Sequence, residues 1–477
     1  MAMQALLTYH LKYVNAECAE TLAVYSPHDG SLVADNLQVA GQVDVDKAVA
    51  AARAAFEGEW STWTPAQRTT VMLKFADLVD HHVDELAPWE SKCMGQVITS
   101  TRFLYRLLSS IFRYYAGWTD KLAGEQYPAN DGYYRASVCA GIGAWNGAPG
   151  FFAAKVAPAI AVGCTVVYKG SEKTPVGLLQ LGDLVKQAGF PPGVINIITG
   201  GGATGGMLAS HMDVNKISFT GSVPTGKKVQ ELATRSNFKR VVLELGGKSP
   251  SLVFDDADID NALQHSSQNF LFNSGQACIA ASRLFVQENI APNFIEQLKA
   301  RFEQFSQAAG SPLDTNSLFG PLADKGQFER VMDYVDIGKQ EAELITGGKK
   351  HSFSKDGYYM EPTIFLNPKD DARIYREEIF GPVLVVRTFK NEEEAIKLAN
   401  DTSFGLSACI YTSSLPRALP VAKKIDAGNV NINSSQTFDI VAPFGGFKQS
   451  GVGREGGRQG LMHFVETKTV SINMSIG

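Results

Sequence analysis

The sequence of 477 residues is short of cysteine, of clustered basic residues and of long apolar runs, and each shortage excludes a class of protein. Its six cysteines lie far apart, without a Cys-x-x-Cys pair or a histidine cluster, which argues against a disulfide framework and a zinc site and favours a reducing compartment. The formal net charge of −5 gives no electrostatic reason to expect nucleic acid or an anionic membrane as a partner. No apolar run could cross a bilayer, and the N-terminal residues lack the features of a signal or transit peptide. These absences predict a cytoplasmic protein of two or three domains without a metal site.

Two successive series of predicted strands and helices make up most of the chain. Residues 1–110 have the apolar spacing of helices. In residues 137–245 strands alternate with helices, which predicts an α/β domain with a parallel sheet covered on both faces, and a second α/β series occupies residues 284–433. Residues 125–135 and 466–476 fit neither series. The latter alternate polar and apolar residues like an edge strand, which needs a neighbouring element or a partner subunit.

One cysteine has different neighbours from the others. Cys139, Cys164 and Cys409 lie in strand-like apolar runs, as small buried hydrophobic residues do. Cys278 lies in FNSGQACIAASR, where small residues on both sides let a ligand approach the sulfur and let backbone amides point at it. The local sequence suggests a reactive thiol and leaves an ordinary buried cysteine open.

A carboxylate in an apolar setting precedes this cysteine by 34 residues. Glu244 lies between Leu243 and Leu245 at the end of a predicted strand and is followed by two glycines. It could be an exposed or salt-bridged acid at the strand end. In an apolar environment, however, desolvation would raise its proton affinity and suit it to act as a general base.

A glycine-containing turn joins a predicted strand to a predicted helix in SFTGSVPTG. Ser222 is a good N-cap there, and Pro224 fits the first turn of the helix. Free backbone amides at such a helix start can bind a pyrophosphate, although plain turns have similar sequences.

Taken in chain order, the phrases FTGSVPTG, VLELGGKSP, FNSGQACIAASR, EEIFGP and PFGGFKQSG resemble the aldehyde dehydrogenase superfamily over nearly the whole chain. The resemblance implies an α/β fold with a Rossmann-type cofactor domain, a second α/β catalytic domain and a small β oligomerisation element. The implied boundaries are 1–115 with 137–246, then 247–447, and 118–136 with 462–477. The C-terminal strand then implies a homodimer or homotetramer.

The resemblance also implies catalytic roles. Cys278 corresponds to the nucleophile that forms a thiohemiacetal and then a thioester, and Glu244 to the base that activates water. Asn146, in AWNG, corresponds to the oxyanion donor that acts with the backbone N–H of Cys278. Loss of one such donor typically costs about 3 kcal/mol of transition-state stabilisation.

Seven further residues match cofactor-binding positions of the family. Glu172 matches a position near the adenosine ribose, where a carboxylate binds both hydroxyls and repels a 2′-phosphate, so the implied cofactor is NAD. The matching residues are Trp145, Lys169, Glu172, Gly221, Ser222, Glu378 and Phe380.

The substrate region departs from the family pattern, which has Pro-Trp-Asn followed by an aromatic residue and proline. Residues 144–148 read Ala-Trp-Asn-Gly-Ala, so Gly147 and Ala154 should widen the substrate tunnel, while Phe151, Phe438 and Phe444 should line it. We therefore expect a bulky apolar aldehyde, aromatic or branched.

Two other functions are considered beside this one. A CoA-acylating dehydrogenase would release the acyl group to a thiol, and Glu244 at the position of the hydrolytic base argues against it. A non-catalytic protein that keeps the fold would be expected to lack Cys278, Glu244 or Asn146, yet all three are present.

Overall fold

The computed structural model describes residues 7–9, 12–122, 125–127, 130–435, 439–471 and 473. Two large sheets form the two halves of the molecule, as the two series of strand and helix patterns predict, and the α/β class is confirmed. A third, smaller sheet lies apart from both. Among the described helices, none combines the length and the apolar character needed to span a membrane.

The first sheet has eight strands, of which the central five are parallel. Apolar clusters cover both of its faces, so its central strands are buried on both sides, as all-parallel strands require. In spatial order the strands are Lys12–Val14, Leu7–Tyr9, Ile195–Ile198, Thr165–Lys169, Val138–Ile142, Lys216–Thr220, Arg240–Glu244 and Gly451–Val452. The helices of this half are Gln42–Glu57, Pro65–His81, Val83–Met94, Ile98–Ala116, Ala148–Ala161, Pro175–Ala188, Gly202–Ser210, Val223–Arg235 and Gly457–Met462.

The second sheet has seven strands, and six of them are parallel. The antiparallel first strand closes one edge. In spatial order they are Glu343–Thr346, Thr363–Leu366, Val383–Phe389, Arg283–Gln287, Pro250–Val253, Ser407–Tyr411 and Asn429–Ile432. Its helices are Ile259–Gln264, Ala291–Ser306, Lys325–Glu341, Arg373–Arg376, Glu392–Asn400 and Leu415–Lys424.

The small sheet joins two parts of the chain that are distant in sequence. Strand Glu466–Ser471 pairs antiparallel with Asn130–Arg135, which in turn pairs with Glu125–Tyr127. This matches the sequence analysis, in which both segments stood outside the two α/β series. Two further pairs are Thr21–Tyr25 with Leu32–Gln38, and Phe404–Gly405 with Phe447–Lys448.

The prediction that residues 1–110 are helical is wrong for their beginning. Four strands precede the first helix: Leu7–Tyr9, Lys12–Val14, Thr21–Tyr25 and Leu32–Gln38. The first two add to the edge of the first sheet, where Thr8 pairs with Ile197. Such short edge strands need no apolar alternation of their own, because the sheet that they join supplies the packing.

Candidate active site

The candidate site lies between the two large sheets, at the carboxyl ends of the parallel strands of the first sheet. Cys278 and Asn146 line two cavities that meet there. One cavity, of about 120 Å³, opens toward the turn before helix Val223–Arg235, and we call it the cofactor-side cavity. The other, of about 410 Å³, is the tunnel.

Cys278 follows a 3₁₀ turn with an unusual backbone. Asn273 (φ 51°), Ser274 (φ 56°) and Gly275 (φ 71°) are consecutive left-handed residues. The Cys278 side chain is half-buried at the junction of the two cavities. Burial raises the pKa of its thiol well above the usual range, and the Glu244 and Glu378 carboxylates raise this pKa further.

Two carboxyl groups flank the thiol on the cofactor side: Glu244 is buried and Glu378 is half-buried. Glu244 ends its strand with only 2% of its surface exposed, and neither carboxyl oxygen has a hydrogen-bond partner in the described part of the chain. Burial raises the Glu244 pKa well above its usual range, and the Glu455 carboxylate raises it further. Glu378 accepts a hydrogen bond of 2.9 Å from the Gly247 amide, and burial raises its pKa to about 7.

Gly246 and Gly247 lie so close to neighbouring residues that a side chain would not fit at either position. A Cβ on Gly246 would lie 2.0 Å from a carboxyl oxygen of Glu378, and one on Gly247 would lie 2.5 Å from the Cys278 carbonyl oxygen. The motif Glu-Leu-Gly-Gly therefore lets the loops that carry Glu244, Cys278 and Glu378 pack together.

Asn146 faces the thiol loop from the first half of the molecule. Its Nδ2 donates a hydrogen bond of 3.1 Å to the carbonyl oxygen of Gln276. Asn146 lines both cavities, as Cys278 does.

Five of the seven residues matched to cofactor positions line the cofactor-side cavity: Trp145, Gly221, Ser222, Glu378 and Phe380. The Trp145 and Phe380 rings meet edge to face with centroids 5.4 Å apart. Lys169 and Glu172 lie outside this cavity, after the neighbouring strand Thr165–Lys169, with the Lys169 ammonium 3.7 Å from a Glu172 oxygen.

Four of the five residues matched to substrate positions line the tunnel: Gly147, Phe151, Ala154 and Phe444. Phe438 falls outside the described residues. The tunnel wall also contains Phe103, Leu104 and Leu107 of helix Ile98–Ala116, together with Phe272 and Ile279. Sequence reasoning missed these five; the three on the helix follow an apolar helical spacing, which normally marks core residues.

Other polar groups at the site were also missed. Gln327 donates to the Phe380 carbonyl (2.6 Å) and Arg330 to the Glu378 carbonyl (2.8 Å), both from helix Lys325–Glu341. A buried ion pair joins Lys155 and Glu455 at 2.7 Å, and Glu455 lines the tunnel. Nothing local in the sequence marks these residues, because their partners are far away in the chain.

No group of three or more histidine, cysteine or acidic side chains that could hold a metal ion is found in the described portion.

Comparison with known proteins identifies the family. The model of the aldehyde dehydrogenase family matches residues 13–470. An aldehyde dehydrogenase of Davidiella tassiana is 42% identical over 470 residues, which are 97% of this chain and 94% of that protein. Human retinal dehydrogenase 2 is 42% identical over 474 residues, with 97% and 90% covered.

Solved structures agree with this assignment. The betaine aldehyde dehydrogenase of Staphylococcus aureus, in complex with NAD+, has a TM-score of 0.96 and 33% identity, with 100% of this chain and 96% of that chain covered. The gamma-glutamyl-gamma-aminobutyraldehyde dehydrogenase of Burkholderia cenocepacia has a TM-score of 0.96 and 38% identity, with 99% and 97% covered. The chain belongs to the aldehyde dehydrogenase family. It is therefore an enzyme of aldehyde oxidation, and the reading as a non-catalytic protein is excluded.

Proposed function

We propose that this enzyme uses NAD to oxidise a bulky apolar aldehyde, aromatic or branched, to its carboxylic acid through a thioester on Cys278. The observation that carries the proposal is the position of Cys278 at the junction of the tunnel and the cofactor-side cavity. A thiol there can meet an aldehyde from one side while the hydride leaves toward the other.

The first step is attack by the Cys278 sulfur on the aldehyde carbon. The thiol gives up its proton to solvent water, directly or through the nearby Glu244 carboxylate, so that Glu244 is again a carboxylate before hydrolysis. The carbonyl π electrons move to the oxygen, and the resulting thiohemiacetal oxyanion is stabilised by the Asn146 amide and the Cys278 backbone N–H.

The residues on the cofactor side fit a dinucleotide. Ser222 caps a helix of 13 residues, whose first amides suit a pyrophosphate. Glu378 and Phe380 line the same cavity as Cys278 and would contact the nicotinamide ribose. Glu172 would hold the adenosine ribose with Lys169 and disfavour NADP. The chemistry that NAD supplies when bound is acceptance of the hydride from the thiohemiacetal carbon, which leaves a thioester on Cys278.

Glu244 is the proposed base for release of the acid. As a carboxylate it takes a proton from water, whose oxygen attacks the thioester carbon, and the C–S bond then breaks. The sulfur leaves as thiolate and regains a proton, so the products are the carboxylic acid and the free thiol. Its buried, unpaired carboxyl group leaves both oxygens available for water.

The proposed substrate class follows from the tunnel walls. Phe151, Phe444 and the apolar residues of helix Ile98–Ala116 suit a hydrocarbon or aromatic body. Gly147 and Ala154 contribute little volume beside Asn146 and Cys278, which leaves room for a ring or branch close to the carbonyl.

The assembly, domain boundaries and location are also proposals. Among the described residues, the edges of the small sheet are the strands Glu125–Tyr127 and Glu466–Ser471, each paired on one side only, and such an edge can accept a strand or sheet of a second copy. We infer a homodimer or homotetramer, the domain boundaries given above and a cytoplasmic location. Light scattering coupled to size-exclusion chromatography measures the assembly.

The proposal is tested by spectrophotometric NADH formation with acetaldehyde, hexanal and benzaldehyde. We expect Cys278→Ala to lose activity by about 10⁴-fold or more, because no other group can form the thioester. Cys18→Ala is the matched control, since Cys18 is also half-buried and does not line either cavity. Retention of activity by Cys278→Ala would refute the mechanism, and a clear preference for acetaldehyde would refute the substrate class.

The CoA-acylating alternative has a separate assay. The enzyme is incubated with aldehyde, NAD and coenzyme A, and the products are analysed by mass spectrometry. The proposed hydrolysis yields the free acid with or without coenzyme A, whereas an acyl-CoA product would contradict it.

A further inference from the structure

The two proposed oxyanion donors belong to different halves of the molecule. Asn146 follows strand Val138–Ile142 of the first sheet, whereas the Cys278 N–H belongs to the loop before strand Arg283–Gln287 of the second. A small relative shift of the two halves would separate the donors, and errors of about 1 Å at a reacting centre can cost about 100-fold in rate.

The thiol loop is firmly attached to the second half. Ser274 donates to the Gly320 carbonyl (2.7 Å), and the Gln276 side chain accepts a hydrogen bond from the Ala323 amide (3.0 Å). A Cβ on Gly275 would lie 2.3 Å from the Gly381 carbonyl oxygen, so the loop also packs directly against the segment after Phe380.

Asn273 connects this loop to Asn146. Its Nδ2 donates to the backbone carbonyl of Asn146 (3.3 Å) and to the carbonyl of Gln276 (3.2 Å). The Gln276 carbonyl is also the acceptor for the Asn146 side chain, at 3.1 Å. One buried carboxamide thus holds the backbone of the proposed oxyanion residue and shares its side-chain acceptor.

Asn273 has a left-handed backbone conformation, and its hydrogen bond to Asn146 gives this conformation a purpose. A left-handed conformation is strained for a non-glycine residue and persists where its surroundings enforce it. Here Asn273 and Ser274 are both left-handed, and the Gln276 side chain donates to the Asn273 carbonyl at 3.0 Å. This conformation directs the Asn273 amide across to Asn146.

We propose that Asn273 is a positioning residue, which holds Asn146 in register with the Cys278 N–H so that the two donors act on one oxygen. This inference rests on the proposed oxyanion role of Asn146. Asn273 acts on the Asn146 backbone, so its contact remains when the Asn146 side chain donates to the substrate.

The test is a double-mutant cycle between Asn273→Gly and Asn146→Ala. Glycine accepts the left-handed backbone and removes only the carboxamide. We expect Asn146→Ala to lower kcat by about 100-fold to 1,000-fold and Asn273→Gly by about 10-fold, with the KM for NAD changed less than about twofold. The double variant should match Asn146→Ala within about twofold, because Asn273 acts through Asn146.

Two further variants separate positioning from general structure. Asn273→Asp repeats the cycle with a side chain of the same shape that has no N–H to donate, so lost packing cannot produce the result. Asn367→Gly is the matched control, since Asn367 is also left-handed (φ 51°) but exposed on the second sheet, and it should keep the wild-type kcat.

The outcomes are distinguishable. If Asn146→Ala keeps the wild-type kcat, the proposed oxyanion role is wrong and the positioning role falls with it. If Asn146→Ala is impaired but Asn273→Gly is not, or if the two losses multiply, only the positioning role is wrong.

Discussion

The tunnel and the cofactor-side cavity meet at the Cys278 sulfur, but the side chains that line them differ. The tunnel is lined mostly by carbon, from Phe103, Phe151, Phe272 and Phe444 among others. The cofactor-side cavity contains two carboxyl groups, Glu244 and Glu378, whose pKa values are both raised, chiefly by desolvation. In the proposed mechanism the two cavities have separate tasks: the apolar tunnel walls select the aldehyde, while Glu244 transfers protons on the other side of Cys278.

The largest expected loss of activity comes from replacing Glu244, the proposed base on the cofactor side of Cys278. Glu244→Gln should lower steady-state kcat by about 1,000-fold, because the amide cannot take a proton from water. Acylation should be affected less, so rapid mixing should record a burst of about one NADH per active site followed by a very slow rate.

Glu90→Gln is the control for that variant, since Glu90 is a fully buried carboxyl group with a raised pKa outside both cavities. Its kcat should match the wild type. Multiple rapid turnovers by Glu244→Gln would show that another group activates water.

The second prediction concerns the pH dependence of kcat/KM, which we expect Cys278 and Glu244 to control. Cys278 and Glu244 both work in their deprotonated forms, and both pKa values are raised above their usual ranges. The active forms are therefore lost as pH falls, and kcat/KM should rise with pH from the neutral into the alkaline range, by up to about tenfold per pH unit below the controlling pKa.

Alkylation of Cys278 by iodoacetamide provides an independent measurement of the thiol. Its rate in the enzyme without cofactor should be low at neutral pH and should increase on the alkaline side. A thiol that reacts at full rate near pH 6 would contradict the raised pKa.

The smallest expected effect on kcat/KM comes from enlarging a side chain of the tunnel wall. Ala154→Leu adds volume to the wall and should lower kcat/KM for benzaldehyde by about tenfold, with acetaldehyde changed less than about twofold, because overpacking typically costs 1–3 kcal/mol. Gly147→Ala should have a smaller effect, since its added Cβ would lie 3.4 Å from the Phe151 ring, an ordinary contact. Equal losses for both aldehydes would show that the tunnel does not select by size.

The sequence alone predicted the α/β class, the family and the residues around the thiol. These features depend on short segments: the small residues beside Cys278, the acid and glycines at 244–247, and the capped turn at Ser222. The site geometry gives each a physical reason, as in the close approaches that exclude side chains from Gly246 and Gly247.

Only the tertiary structure decided which distant groups share the site. Lys155 and Glu455 are 300 residues apart, and Gln327 and Arg330 lie on a helix that looks in sequence like an ordinary solvated one. Strands Leu7–Tyr9 and Lys12–Val14 join the edge of the first sheet, and Asn273 gains its proposed role only because Asn146 lies across from it. Local sequence encodes backbone preference and side-chain chemistry, but burial, raised pKa values and contacts between the two halves arise only when the folded chain brings those residues together.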